Sequence, residues 1–251
     1  MGWLSGIIGG GLGAMIAGPF GALIGAAIGA SMGGGQHLQG GGINPVQQRQ
    51  ALFFTAAYSM VGKLAKADGR VCADEIAAIE KISKEALGLD TQTRQYAINV
   101  FNQAKNSPEP FSSYARQFGD LFWQDQQLCS FMMNFLFQVA MADGRLHPQE
   151  ETLLLEARQA FRLPESLYQS LRDRYVGRTA TSVSLQKHYE NLGVAPDAEL
   201  AEIKKAYRQK AAEFHPDKIE GKGLPPEFIK FANDRLAEIN DSYQQILAAR
   251  K

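Results

Sequence analysis

The chain has 251 residues, 45% of them apolar, and its 26 Lys and Arg balance 26 Asp and Glu. This composition predicts one or two folded domains and excludes disorder as the main state. The absence of net charge offers no global positive field, which argues against general nucleic-acid binding. Cys72 and Cys129 form no CxxC pair, so a disulfide framework and a cysteine zinc site are both excluded.

The first segment is glycine-rich and carries no charge. Of the 25 glycines, 16 lie within residues 1–42, and the first Lys, Arg, Asp or Glu is Arg49. The uncharged run from Trp3 to Met32 exceeds the roughly twenty residues that cross a bilayer as a helix. We therefore predict a transmembrane helix in residues 1–33, followed by a flexible tether over 34–46. The alternatives are a glycine-rich arm and a span broken in two at Pro19.

Charge and glycine spacing predict how this segment is used. No Lys or Arg precedes the apolar run, which disfavours a cleaved signal peptide. Basic residues begin only downstream, at Arg49, so the positive-inside rule places everything after the span in the cytoplasm. Gly21, Gly25 and Gly29 form a GxxxGxxxG pattern, whose flat helix face lets two backbones approach closely. We therefore expect a homodimer through the transmembrane helix.

Residues 47–176 contain a duplicated helical unit. One helical face carries Leu52, Phe53, Ala56, Ala57, Met60, Val61 and Leu64. The passage KLAKADGRVCADEIAAIEKI from Lys63 matches QVAMADGRLHPQEETLLLEA from Gln138. In each copy a helix is expected to end at the Asp-Gly turn, and acidic residues open the next helix, where they suit its dipole.

The repeated Asp-Gly turn also resembles the second half of a calcium-binding EF-hand loop. The places of the first two anionic ligands, however, fall on Leu64 and Lys66 in one copy and on Val139 and Met141 in the other. We therefore interpret Asp68 and Asp143 as capping residues of the turn. His147, beside Pro148, is interpreted in the same way, as a surface or capping residue.

An aromatic run in the second half of this region is typical of a helical core, and part of the run is a candidate lining for a partner groove. Its members are Phe118, Phe122, Trp123, Phe131, Phe135 and Phe137. The duplicated ADGR pattern resembles the tellurite-resistance TerB-like helical domain over most of residues 47–176. This resemblance implies an interaction role with an unknown protein partner and implies no activity.

After a polar linker over 177–186, residues 187–251 predict three helices. The first closes at Gly193, the second is capped by Asp197 and runs to about Phe214, and the third begins near Pro226. Pro216 must end the second helix. The two longer helices therefore present a short His-Pro-Asp tip.

The tripeptide of His215, Pro216 and Asp217, with KKAYRQKAAEF before it and YxxLGV upstream, resembles the J domain of DnaJ-type co-chaperones. An exposed acid beside a proline suits a bidentate contact with a partner arginine, and proline limits the entropy lost on docking. The resemblance implies that the tip and the basic face before it bind a DnaK-type chaperone and accelerate its ATP hydrolysis. The residues predicted to bind DnaK are His215, Pro216, Asp217, Lys204, Lys205, Tyr207, Arg208 and Lys218.

Two residues depart from the usual J-domain pattern. Gln209 occupies a place where a basic residue is common, and Lys210 occupies that of a core leucine. We expect Lys210 to bury its methylenes and to extend its amine outward. The glycine-phenylalanine linker and cysteine-rich repeats of full-length DnaJ are absent from the sequence, which argues against general client holding.

The whole chain is predicted to be all-α: a transmembrane helix, a TerB-like domain and a J domain. That order resembles the DjlA-type co-chaperones of bacterial inner membranes, with a periplasmic N-terminus and cytoplasmic domains. It implies a regulatory co-chaperone, with no enzyme activity, cofactor or metal of its own, in envelope or capsule signalling. The alternative is a membrane scaffold that acts through the TerB-like domain and the glycine face.

Overall fold

The computed structural model describes residues 4, 18–31, 44–67, 87–176 and 185–250. Every regular element in these ranges is helical, as predicted. The α-helices are α1 (Pro19–Ser31), α2 (Pro45–Leu64), α3 (Thr91–Asn106), α4 (Phe111–Phe122), α5 (Gln126–Ala140), α6 (Pro148–Ala160), α7 (Glu165–Val176), α8 (Leu185–Leu192), α9 (Leu200–Glu213), α10 (Pro216–Glu220) and α11 (Ile229–Ala249), with a 3₁₀ turn at Pro226–Phe228. Helices α2 and α8 thus begin slightly before the predicted boundaries at 47 and 187.

Helix α2 is the centre of the TerB-like domain. It begins at Pro45, and the Asn44 side chain caps it by accepting a hydrogen bond from the Val46 amide at 3.0 Å. The predicted apolar face is buried, but so is the opposite side, where the hydroxyl of Thr55 lies 2.9 Å from that of Tyr96. A Cβ on Gly62 would lie 2.7 Å from the Phe101 carbonyl oxygen, so this glycine permits the close crossing of α2 and α3.

The second copy of the duplicated turn has the predicted capping role. Gly144 follows α5 with a φ of 87°, and Oδ1 of Asp143 accepts a hydrogen bond from the Arg145 amide at 2.9 Å. The His147 amide at the start of α6 donates to Oε2 of Glu150 at 3.0 Å. The first copy lies largely in residues 68–86, outside the described ranges.

The aromatic run forms core, with one exception. Phe118, Phe131 and Phe137 are fully buried, but Trp123 is 42% exposed and lies under the Arg162 guanidinium, 5.0 Å from its ring centre. The assignment of Trp123 to the core was therefore wrong. The reason is geometric: α4 ends at Phe122, which takes the buried position, and the next residue is rotated about 100° around the helix axis.

Helix α1 comprises much of the second half of the predicted membrane span. It starts at Pro19, the residue at which the sequence allowed a break, and Gly18 before it has a φ of 92°. Phe20, Leu23 and Ile24 are buried in the apolar core, on a helix that packs against α2, α3 and α4. Among the described residues, no helix combines the length and hydropathy of a membrane span. Most of the run before Gly18 lies outside those residues, so the span stays a prediction.

The last four α-helices form the J domain. Gly193, with a φ of 70°, ends α8 as predicted, and the Val194 amide donates back to the Tyr189 carbonyl at 3.1 Å. The predicted cap of α9 was wrong. The residue before the helix is Glu199 and not Asp197. The Glu199 amide donates a hydrogen bond to Oε2 of Glu202 at 3.1 Å, as in a capping box, and this bond fixes where the helix begins.

Candidate functional site

The His-Pro-Asp tip lies where α9 gives way to α10. Phe214 closes α9 and is fully buried, whereas the next residue, His215, is exposed. The His215 carbonyl accepts the Lys218 amide at 3.0 Å, so the tip forms one short helical turn. The Asp217 side chain is 89% exposed, and its carboxylate lies 3.9 Å from His215 Nδ1, beyond hydrogen-bond distance. The carboxylate is thus free to meet an external cation.

The basic face of α9 lies on the same hairpin as the tip. Lys204, Lys205 and Arg208 are exposed, and Lys204 and Arg208 are one helical turn apart. Tyr207 differs from these three. Its ring stacks on Tyr243 with 4.1 Å between ring centres, and its hydroxyl donates to Oδ1 of Asn240 at 3.1 Å. Tyr207 therefore also holds α9 against α11.

A second surface of the J domain is buried against the TerB-like domain. Phe228 lies at its centre, with its ring 5.4 Å from that of Phe53 on α2 and 5.1 Å from that of Phe135 on α5. The Phe231 ring lies 5.0 Å from that of Phe131 in an edge-to-face arrangement. Part of the aromatic run therefore does line a partner groove, as the sequence suggested, and the partner is the chain's own J domain.

Two buried arginines join the domains by hydrogen bonds. Arg235 of α11 donates to the side chain of Gln138 at 2.8 Å and to the Tyr175 hydroxyl at 2.6 Å. Arg174 of α7 donates to the Asn191 carbonyl at the end of α8 at 2.9 Å. Hydrogen bonds from charged donors are stronger than neutral ones, and they fix the orientation of the two surfaces.

Lys210 corrects one sequence expectation. It is partly buried, and burial together with the nearby Arg174 lowers the pKa of its amine. Its neighbour Glu213 is also partly buried, and burial raises the pKa of that carboxyl group. The amine is therefore not fully extended into solvent, because it lies beside Gly193 at the end of α8 and near Arg174 of α7. Lysine at a core-leucine position was a second sequence signal of this interface, besides the aromatic run.

The loop after the tip is tied to the TerB-like domain by residues that the sequence analysis missed. Arg49 Nε of α2 donates to the Lys222 carbonyl at 3.1 Å, and its guanidinium pairs with Asp125. Gly223, with a φ of 93°, passes close to the Arg49 side chain. Gln127 donates to the Ala212 carbonyl near the end of α9 at 3.2 Å. Single polar residues in an otherwise ordinary helix give no sequence signal of such contacts.

Comparison with known proteins supports both domains. The family model described as tellurite resistance protein TerB matches residues 54–173, and the DnaJ domain model matches residues 187–248. The chain is 32% identical over 218 residues to the co-chaperone protein DjlA of Photobacterium profundum, a match that covers 80% of this chain and 78% of the relative. No solved structure matches.

Two further relatives carry the same name. The co-chaperone protein DjlA of Aliivibrio fischeri is 33% identical over 233 residues, covering 83% of this chain and 82% of the relative. That of Escherichia coli is 29% identical over 218 residues, covering 80% of each chain. With a TerB-like domain joined to a carboxyl-terminal J domain that leaves its His-Pro-Asp tip exposed, the chain belongs to the DjlA family of co-chaperone proteins.

Proposed function

We propose that this co-chaperone recruits a DnaK-type chaperone to a bacterial inner membrane and stimulates its ATP hydrolysis through His215, Pro216 and Asp217. The observation that carries the proposal is the division of the J domain into two surfaces. Its aromatic surface, centred on Phe228, is used within the chain. The tip and the basic face are exposed and remain available to a second protein.

In this mechanism the J domain supplies contacts and the partner supplies the ATPase site. The basic face of Lys204, Lys205 and Arg208 attracts an acidic patch and speeds encounter. Asp217 then accepts a charge-assisted bidentate contact from a partner arginine. Pro216 fixes the local backbone and so reduces the entropy lost on docking. His215 and Lys218 flank this contact.

The TerB-like domain serves as a platform in this proposal. Because Arg49, Arg174 and Arg235 hold the J domain from several sides, a partner bound to the TerB-like domain would stand in a fixed orientation to a DnaK molecule bound at the tip. A fixed orientation raises the effective concentration of one partner near the other. The domain would thereby select where DnaK acts, including sites of envelope or capsule signalling.

Charge reversal on α9 should slow association with DnaK. In the double variant Lys204→Glu, Arg208→Glu we expect stimulation of DnaK ATP hydrolysis to fall by about tenfold at physiological salt, because steering by the basic face is lost. Both side chains are exposed, so the fold should be unaffected. Single-turnover ATPase rates at several salt concentrations measure the effect.

The matched control is Lys187→Glu with Lys230→Glu, which changes the net charge equally at exposed positions off this face. The wild-type rate should fall as added salt shortens the Debye length below about 8 Å. The double variant should show a weaker salt dependence. Equal loss in the control pair would mean that net charge, and not this face, sets the rate.

Anchoring is proposed to use the uncharged run in residues 1–33, with the glycine face of Gly21, Gly25 and Gly29 pairing two copies. The supporting observation is the sequence itself, in which basic residues lie only downstream of the run. A green fluorescent protein fused after Lys251 should therefore fluoresce, and alkaline phosphatase fused there should be inactive. Active phosphatase would contradict a cytoplasmic J domain.

A further inference from the structure

The surface under α1 has the properties of a binding groove for a helix. Phe20, Leu23 and Ile24 lie at i, i+3 and i+4 and are the buried large side chains among residues 19–26, the part of α1 whose burial the structure describes. They enter a surface built by α2, α3 and α4, where the Phe20 ring lies 6.0 Å from that of Tyr114. This is the anchor pattern of an amphipathic helix in an apolar groove.

The groove also recognises the start of the helix. The Phe20 amide belongs to the first turn of α1, where backbone amides have no partner within the helix. It donates to Oε1 of Gln117 on α4 at 3.0 Å. The Gln117 side chain also lies close under Gly18, where a Cβ would approach its amide group to about 3.0 Å. The groove therefore accepts a helix that is preceded by a small residue.

The chemistry of the wall selects against charged helices. Between α1 and α3 a crevice of about 490 Å³ is lined by Ala22, Leu23, Ala26, Asn102, Gln103, Asn106 and Ser107. None of these side chains carries a charge. The nearby cations are already engaged: the Lys63 ammonium group donates to the Ser107 carbonyl at 2.6 Å, and that of Lys105 donates to Oδ1 of Asn102 at 3.2 Å. A charged helix would lose hydration there without gaining an ion pair.

We propose that this groove is the partner site of the TerB-like domain and that it takes an uncharged helix with large apolar residues at i, i+3 and i+4. Helix α1 is its intramolecular occupant. The inference rests on the proposed membrane anchoring in one respect. Residues 19–31 cannot lie in the groove and in the bilayer together, so insertion of the whole run would release the groove for a helix from another protein.

The test uses the full chain and a labelled peptide of residues 18–31 with three lysines added for solubility. In the chain with Phe20→Asp and Ile24→Asp, binding of α1 in the groove would bury two carboxylates, so α1 should leave the groove. Without lipid, in amphipol, we expect this chain to bind the peptide at least tenfold more tightly than wild type, whose own α1 competes at high effective concentration. Fluorescence anisotropy measures both affinities, and circular dichroism checks the helical content.

Two controls locate the binding. A peptide with the same two aspartates should bind neither chain. The second control replaces Gln103 with photoreactive benzoylphenylalanine. In the Phe20→Asp, Ile24→Asp chain this residue should cross-link to the peptide. In the otherwise wild-type chain it should cross-link to residues of α1. Equal binding of both peptides, or no binding to the folded double variant, would overturn the proposal.

A lipid arm separates this proposal from the anchoring. Vesicles of phosphatidylethanolamine and phosphatidylglycerol should raise peptide binding by the wild-type chain toward that of the double variant, because α1 enters the bilayer. If the double variant binds and the wild-type chain ignores the vesicles, the groove is supported and insertion of α1 is contradicted. DnaK takes no part in either arm, so its stimulation is tested separately.

Discussion

The substitution Asp217→Asn should abolish most stimulation of DnaK ATP hydrolysis while leaving the fold intact. The Asp217 side chain is 89% exposed, and within the described part of the chain it makes only a long contact with His215, so the core loses nothing when its charge is removed. The partner arginine, by contrast, loses a charge-assisted bidentate contact, which is worth roughly 2–5 kcal/mol when its ion pair is buried on docking. A loss of thirtyfold or more at subsaturating concentration is therefore expected in a single-turnover ATPase assay.

The matched control is Asp241→Asn, which removes another exposed carboxylate, from α11 of the same domain. Its described contact is a hydrogen bond from the Gln245 side chain one turn later, at 3.3 Å. This variant should stimulate DnaK as wild type does, and both variants should unfold at the wild-type urea concentration. Full stimulation by Asp217→Asn would refute the docking role and favour the membrane scaffold as the function.

The tip and its helical hairpin could be predicted from sequence because they depend on local chemistry. Pro216 has no amide hydrogen and ends α9 in any context, and Gly193 ends α8 because it tolerates a positive φ. The cap of α9 was missed by two residues for a related reason. Asp197 and Glu199 can both cap a helix, and only the hydrogen bond from the Glu199 amide to the Glu202 side chain decides between them.

The interface between the domains could not be predicted, because helical periodicity identifies buried residues without identifying what buries them. Phe228 and Phe231 have the spacing expected of a J-domain core, yet their rings meet Phe53 and Phe131 of the other domain. Residues 19–31 raise the same ambiguity. An uncharged apolar helix is compatible with lipid and with a protein groove, since both exclude water.

The substitution Phe228→Ala tests whether the two domains fold as one unit. Its ring is fully buried among aromatic rings of α2 and α5, so its removal should lower the free energy of unfolding by about 3–5 kcal/mol. Because the lost contacts belong to both domains, the helices of the TerB-like domain and of the J domain should unfold at the same, lower urea concentration. Circular dichroism follows the unfolding of the whole chain. In a Trp3→Phe background, the fluorescence of Trp123 follows the unfolding of the TerB-like domain alone.

Leu200→Ala is the matched control, because Leu200 is an apolar residue of the same domain that is 51% exposed. Its loss should change the free energy of unfolding by only about 0.5 kcal/mol. At temperatures where Phe228→Ala is still folded, it should stimulate DnaK, since the tip and the basic face are unchanged. An unshifted Trp123 transition beside a destabilised J domain would show that the aromatic contacts do not couple the domains. The J domain would then be free to reorient on the TerB-like domain, and the fixed geometry that makes this domain a platform for DnaK would be lost.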